Sequence, residues 1–311
     1  MIKKNSKIYI AGHEGMVGSI LLKELRNRAY TNLVYESFKN LDLRNQNNTR
    51  NYISYHKPEY IFLIAGKVGG IQANINHPAE YLYDNLMISA NVIEAARSNN
   101  VKKLLFLGSS CIYPRLSAQP MKEEYLLTGL LEPTNEGYAI GKIAGLKLCE
   151  YYNKQYGCNF ISAIAPNLYG PMDNFSNENS HVISALIKKI HKAKIEKTKY
   201  VEMWGTGSAR REFLFNEDLV DGLIFLMNNY EGKNFINIGS NNDVSIKELA
   251  EIIKEIIGYD GEFIWDETKP DGMPKKLMDS SKIYNMGWKP KNNLKDGLSE
   301  TYKWYLNNYK R

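Results

Sequence analysis

The first half of the chain alternates between short, continuous apolar runs and longer stretches of helical period. Lys7–Ala11, Leu33–Tyr35, Tyr60–Ile64, Leu104–Gly108 and Phe160–Ala165 read as strands. Gly15–Arg28 carries Met16, Ile20, Leu21 and Leu25 at helical spacing, and Pro78–Arg97 and Tyr138–Tyr156 form two longer helical stretches. A strand that is apolar along its whole length is buried on both faces, which a parallel sheet covered by helices provides. The predicted fold class is therefore α/β, built on a doubly wound parallel sheet.

Beyond residue 166 the pattern changes. Asn167–Asn179 is rich in Asn, Gly and Pro and has no period, so it is expected to be a long functional loop. A helix is expected at His181–Ala193, with strands at Tyr200–Trp204 and Asn234–Gly239. A further helix at Ser245–Ile257 opens with Ser245 as N-cap and Glu248 completing a capping box. There is no repeat, low-complexity segment or interdomain linker. Residues 1–165 thus read as the doubly wound domain, to which segments near 213–240 return. Residues 166–311 read mainly as a smaller α/β substrate domain, and the cleft between the two is the expected ligand site.

Composition narrows the function. The 311 residues are 43% hydrophobic and 24% charged, the balance of a folded globular protein rather than a disordered one. The net charge of +6 is mild and the basic residues are scattered, so neither nucleic acid nor an anionic membrane is indicated as a partner. No apolar run approaches the ~20 residues needed to span a bilayer. The opening MIKKNSKIYIAGHEG reads as a first strand, not a signal peptide. Three cysteines build no disulfide framework and fit a reducing cytoplasm. No metal is implied.

Two motifs carry chemistry. Gly12-His13-Glu14-Gly15-Met16-Val17-Gly18 lies between the first strand and first helix. Its glycines permit a tight turn, close approach of a pyrophosphate, and close helix–strand packing, with the anion resting on the helix N-terminus. That is a dinucleotide-binding (Rossmann) context. Tyr138 and Lys142 stand four apart on one helix face. A phenol whose pKa is lowered by an ammonium is suited to moving a proton at a carbonyl oxygen while a nicotinamide moves a hydride. Ser109 and Ser110 add hydroxyls at the end of the fourth strand, where such sheets place ligands.

These motifs together resemble the extended short-chain dehydrogenase/reductase superfamily. Longer strings are similar to the GDP-L-fucose synthase family nearly end to end: KVGGI (Lys67–Ile71), LFLGSSCIYP (Leu105–Pro114), LEPTNEGYAIGKIAG (Leu131–Gly145), NLYGP (Asn167–Pro171), NSHVI (Asn179–Ile183), REFL (Arg211–Leu214) and the KPDG to KLMD stretch (Lys269–Asp279). The resemblance implies 3,5-epimerisation and 4-reduction of a GDP-4-keto-6-deoxy sugar, for surface polysaccharide, by a cytoplasmic homodimer. It assigns Tyr138 as proton donor to the C4 oxygen, Lys142 as its electrostatic partner and ribose ligand, and Ser109 as the hydroxyl that orients the carbonyl. Cys111 and His181 match the acid/base pair acting at C3 and C5. A thiol of ordinary pKa ~8.5 and an imidazole of ~6.5 can both exchange protons close to neutrality. NADP(H) is the implied cofactor. Its implied ligands are the Gly12–Gly18 loop, Glu36, Leu107, Gly108, Lys142, Ala165, Pro166, Asn167, Leu168 and His181. Lys189, Trp204, Arg211, Asp271 and Lys276 match positions for the GDP-sugar.

The sequence departs from the family pattern in places. Glu14 and Glu36 stand where NADPH-preferring relatives often carry arginine, and a carboxylate suits a free ribose 2′-hydroxyl better than a 2′-phosphate. Ser37 and Lys39 could still bind a phosphate, so NAD(H) is the alternative cofactor. Ser184, Phe215 and Met273 also differ from common bacterial relatives, which leaves open a 4-reductase acting on an already epimerised 6-deoxyheptose. An NAD-retaining epimerase or dehydratase is a further alternative. A non-catalytic nucleotide-sensing Rossmann module is the alternative from another class, and the intact Ser109, Tyr138 and Lys142 argue against it.

Overall fold

A computed structural model describes residues 1–176, 180–269 and 271–309. Among these, a parallel sheet runs in the order β2 (Leu33–Val34), β1 (Ile8–Ala11), β3 (Tyr60–Leu63), β4 (Lys103–Ser109), β5 (Phe160–Ala165), β9 (Ile236–Asn237). The chain leaves β1 toward β2 and then returns past β1 to β3. The order therefore reverses at β1, and the crevice beyond the carboxyl ends of β1 and β3 is where such sheets bind ligands.

Alternation along β1 shows why both faces are covered. Ile8 and Ile10 enter one core with Leu21, Leu25 and Leu223, while Tyr9 and Ala11 enter the other with Leu63, Phe106 and Leu146. The first core is capped by α1 (Met16–Asn27) and α7 (Asn216–Asn229), and the second by α2 (Gln46–His56), α4 (Pro78–Ser98) and α5 (Glu136–Tyr156). α4 and α5 press together because α5 carries glycine at every fourth position. A Cβ on Gly141 would stand 2.9 Å from the Asn85 side chain, and one on Gly145 2.9 Å from the Ser89 side chain, both on α4. A short α3 (Ile71–Asn76) precedes α4.

The remaining elements form a lobe over the carboxyl edge of the sheet. β8 (Arg210–Phe215) is its centre, paired with β6 (Asn167–Tyr169), β10 (Asp243–Ser245) and β12 (Lys275–Lys276). β7 (Tyr200–Trp204) pairs in parallel with β11 (Glu262–Asp266). A third core joins α6 (Val182–Glu196), α8 (Ile246–Ile257) and α10 (Leu294–Asn308) through Ile187, Ile190, Leu249, Ile253 and Tyr305. The expected capping box of α8 is present, with Ser245 and Glu248 each accepting from the other's backbone N–H, an arrangement worth about 1 kcal/mol. α9 (Ser281–Asn285) packs beside β9.

Three boundaries differ from the sequence reading. The expected loop at Asn167–Asn179 begins instead as β6, because pairing with β8 overrides the weak strand propensity of Asn-Leu-Tyr. Its last three residues, 177–179, and Pro270 within the KPDG string lie outside the described residues. The helix expected from His181 starts at Val182 with His181 as N-cap and runs on to Glu196. The strand expected at Asn234–Gly239 contracts to Ile236–Asn237, which lies opposite Ala163 and Ile164 of β5.

Candidate active site

The glycine loop closes on itself as its spacing requires. Gly12 has φ +97°, and a Cβ there would lie 2.7 Å from the backbone of Ala65, just past β3. A Cβ on Gly18 would lie 2.0 Å from the Gly12 carbonyl oxygen. Gly15 is the N-cap of α1, which has no side-chain cap and no acidic residue in its first turn. Its free N–H groups and dipole thus face the switch-point crevice, the arrangement a pyrophosphate needs. At the rim, the Glu14 carboxylate accepts from the Phe38 N–H at 3.0 Å, which brings it to the Glu36 segment. Glu36 accepts from Asn40 and Ser37, each at 2.9 Å, and those bonds hold its carboxyl below the usual range. His13 packs on the Tyr35 ring with its Nδ1 buried and unpaired.

The second half of the cradle is Lys142. It is 5% exposed, and its ammonium donates to the Leu107 carbonyl at 3.1 Å. No carboxylate pairs with it among the described residues, so burial pushes it down to about 8. Beside it, Asn85 donates to the Lys67 and Tyr81 carbonyls at 3.0 and 2.8 Å, leaving its Oδ1 buried without a donor. A Cβ on Gly66 would meet both that oxygen, at 2.7 Å, and the Lys142 ammonium, at 3.0 Å. An orphaned acceptor and a buried cation flanking a bare glycine suit the hydroxyls of a ribose. The residues present therefore fit a nicotinamide dinucleotide. Asn85 was not singled out from sequence, since one asparagine within a helix carries no signal until its oxygen is seen to lack a partner.

Tyr138 is 9% exposed, and its phenol neighbours the Ser109 hydroxyl at the end of β4, which favours its ionised form. The sequence argument expected Lys142 to lower its pKa. The structure shows the opposite: burial pushes the phenol up, and Ser109 only partly offsets it. The Lys142 ammonium lies 5.9 Å from the ring centroid and is turned to Leu107. Tyr138 is consequently protonated at neutral pH, the form a proton donor needs. Gly108 and Ser109 pair with Ile164 and Ala165 of β5, which places Pro166, Asn167 and Leu168 beside the same strand ends.

The half-buried thiol of Cys111 receives two N–H donors, Asn135 Nδ2 at 3.2 Å and Lys276 Nζ at 3.4 Å. Lys276, matched from sequence to the sugar nucleotide, thus touches the thiol. Cys149 on α5 is buried in the second core and Cys158, just past that helix, packs against it; burial pushes both thiols up. His181 sits with Nδ1 3.4 Å from the buried carboxylate of Asp173, which raises the imidazole above its ordinary value although burial opposes it. Ser184 donates to the other Asp173 oxygen. Asp173 was missed because the segment read as an aperiodic loop. Phe215 packs in the lobe core against Tyr169, with ring centroids 5.5 Å apart.

The sugar-nucleotide positions divide into two groups. Arg211, whose register partner on β12 is Lys276, lies near Asp271, and burial lowers its guanidinium. Asp271 accepts from the Thr206 N–H at 2.8 Å and its hydroxyl at 2.7 Å, which holds the loop after Trp204. Trp204 is 68% exposed, with Lys269 Nζ 5.9 Å from its ring. Lys189 stands apart from these, exposed on α6.

Comparison with known proteins agrees with this geometry. Residues 8–239 match the NAD dependent epimerase/dehydratase family. Putative GDP-L-fucose synthase 2 of Arabidopsis thaliana is 52% identical over 308 residues, covering 99% of this chain and 94% of that protein. Among solved structures, a GDP-6-OMe-4-keto-L-xylo-heptose reductase from C. jejuni superposes with TM-score 0.94 at 41% identity, covering 98% of this chain and 99% of that one. A GDP-mannoheptose C4 reductase from Campylobacter jejuni with NADP bound gives 0.90 at 43% identity, with 98% and 99% coverage. The chain belongs to the GDP-L-fucose synthase family of NAD dependent epimerases and dehydratases, and it is an NAD(P)H-dependent oxidoreductase.

Proposed function

We propose that this enzyme epimerises a GDP-4-keto-6-deoxy sugar at C3 and C5 and reduces its C4 ketone. The observation that carries the reading is the buried Tyr138 phenol, with the Ser109 hydroxyl and the Cys111 sulfur as its neighbours. Ser109 orients the carbonyl, and Tyr138 gives its proton to the C4 oxygen. Arg211 and Asp271 match positions that the family resemblance assigns to the GDP-sugar, with Trp204 offering an aromatic face. The cofactor would rest on the Gly12–Gly18 loop, Asn85 and Lys142, and when bound it supplies the hydride to C4.

For epimerisation, Cys111 as thiolate takes the proton from C3 or C5, and the C–H electron pair moves into the enolate of the C4 ketone. His181, whose protonated form Asp173 favours, returns a proton to the carbon and becomes neutral. The pair then exchanges protons with solvent. The test is incubation with GDP-4-keto-6-deoxymannose and NADPH in D₂O, read by NMR. Deuterium at C3 and C5 of a C4-reduced product is expected. A reduced product with its starting C3 and C5 configuration and no deuterium leaves a plain 4-reductase.

The relatives solved with NADP support NADP(H), while Glu14 and Glu36 at the adenosine rim favour tolerance of NAD(H). A cytoplasmic homodimer serving surface polysaccharide completes the proposal. In support of the dimer, Tyr83 on α4 and Ile140, Tyr151 and Tyr156 on α5 remain exposed after the two helices pack together. No helix among the described residues is long and apolar enough to cross a membrane.

A further inference from the structure

We propose that Lys276, together with Asn135, is a positioning residue for Cys111, holding its sulfur as a thiolate aimed at the sugar ring. The inference rests on the epimerase reading above and goes beyond it, because the family match places Lys276 on the sugar nucleotide.

Two neighbouring lysines on β12 are used differently. Lys275 forms an ion pair with Asp243 at 2.8 Å. Lys276, pointing the other way from the same short strand, makes no ion pair with a carboxylate among the described residues, and it donates to the Cys111 sulfur at 3.4 Å. An ammonium without a carboxylate, set against a thiol, gains most when the thiol gives up its proton. Asn135 contributes from another direction. It stands at the N-cap position of α5, and its Nδ2 donates to the same sulfur at 3.2 Å, while its Oδ1 is buried without a partner. The sulfur therefore faces two donors, one of them charged.

The other groups around it agree. Ser109 Oγ accepts from the Cys111 backbone N–H at 3.4 Å, which fixes where the side chain leaves the turn after β4. The Tyr138 phenol is a further titratable neighbour, and a negative charge on Cys111 would help keep it protonated. A thiolate at this point thus serves both steps. It removes the carbon-bound proton itself, and it keeps the neighbouring phenol loaded for the C4 oxygen. β12 reaches this point only through its pairing with β8, so the lobe that carries Arg211 also delivers the cation that arms the base.

The experiment reads the thiol directly, in the full-length enzyme without substrate. Cys111 is alkylated with iodoacetamide across a pH series, and its modification is resolved from Cys149 and Cys158 by peptide mass spectrometry. In Lys276→Met, alkylation of Cys111 at pH 7 should slow about tenfold and its pH profile should move to the alkaline side. Lys276→Arg, which restores the charge, should recover most of the rate. If the Met variant does not fold, Lys276→Gln keeps a donor without the charge and should show the same slowing. A folded Met or Gln variant whose Cys111 reacts at the wild-type rate with the wild-type pH profile overturns the proposal. Because no substrate is present, failure of the epimerase reading in the deuterium experiment leaves this result untouched, and the reverse also holds.

Discussion

Replacing Lys142 by Met should make the protein more stable and nearly inactive. The ammonium is buried with one hydrogen bond, to the Leu107 carbonyl, and its pKa is pushed from 10.5 down to about 8. At about 1.4 kcal/mol per pKa unit, keeping that charge in the folded protein at neutral pH costs roughly 3 kcal/mol. Losing the Leu107 hydrogen bond returns about 1 kcal/mol, so the net gain for Met is roughly 2 kcal/mol. The sign follows from proton counting. Between about 8 and 10.5 the unfolded wild type keeps a proton that the folded one has released, so wild-type stability rises with pH across that window. The stability gap between Lys142→Met and wild type should therefore be largest below pH 8 and close toward 10.5. Urea unfolding at several pH values measures the gap, and NADPH oxidation measures the activity. A Met variant less stable than wild type at pH 7, or a gap that does not change with pH, would refute the reasoning. Retained turnover would remove Lys142 from the catalytic set.

Other outcomes follow from the same geometry. Tyr138→Phe keeps the ring and removes the proton, so C4 reduction should fall by about 10²-fold or more in NADPH-oxidation assays, and near-normal turnover would sink the assignment. Asp173→Asn removes the charge 3.4 Å from His181, and the His181 titration followed by NMR should move to lower pH. In the wild type this pair stabilises the fold most below the ordinary imidazole value of 6.5, and the contribution is lost as pH rises through the raised folded value, so the variant should lose stability chiefly on the acid side. NADPH over NADH preference should stay within about a hundredfold, ~2.7 kcal/mol, and Glu14→Arg should widen it; a larger wild-type preference would mean the carboxylates are not at the 2′-position. Sedimentation at micromolar concentration should show a dimer, and a monomer alone would mean that α4 and α5 bury what they need within one chain.

The sequence by itself determined the class of fold and the position of its ligand crevice. Continuous apolar strands can only be buried on both faces, and Gly12 and Gly18 are required wherever backbone must pass within a side chain's radius of backbone. The Tyr138–Lys142 spacing likewise follows from helix period alone. Other features were decided by contacts between residues far apart in the chain. β6 and β12 are too short and too polar to be read as strands, and they exist because each pairs with β8. Asn85, Asn135 and Asp173 become functional candidates only when one has an oxygen without a donor, one meets a thiol, and one meets an imidazole. The direction of the Tyr138 shift belongs to this second kind. Spacing places a cation near the phenol, but burial, which depends on everything packed around it, outweighs that proximity and keeps the proton on.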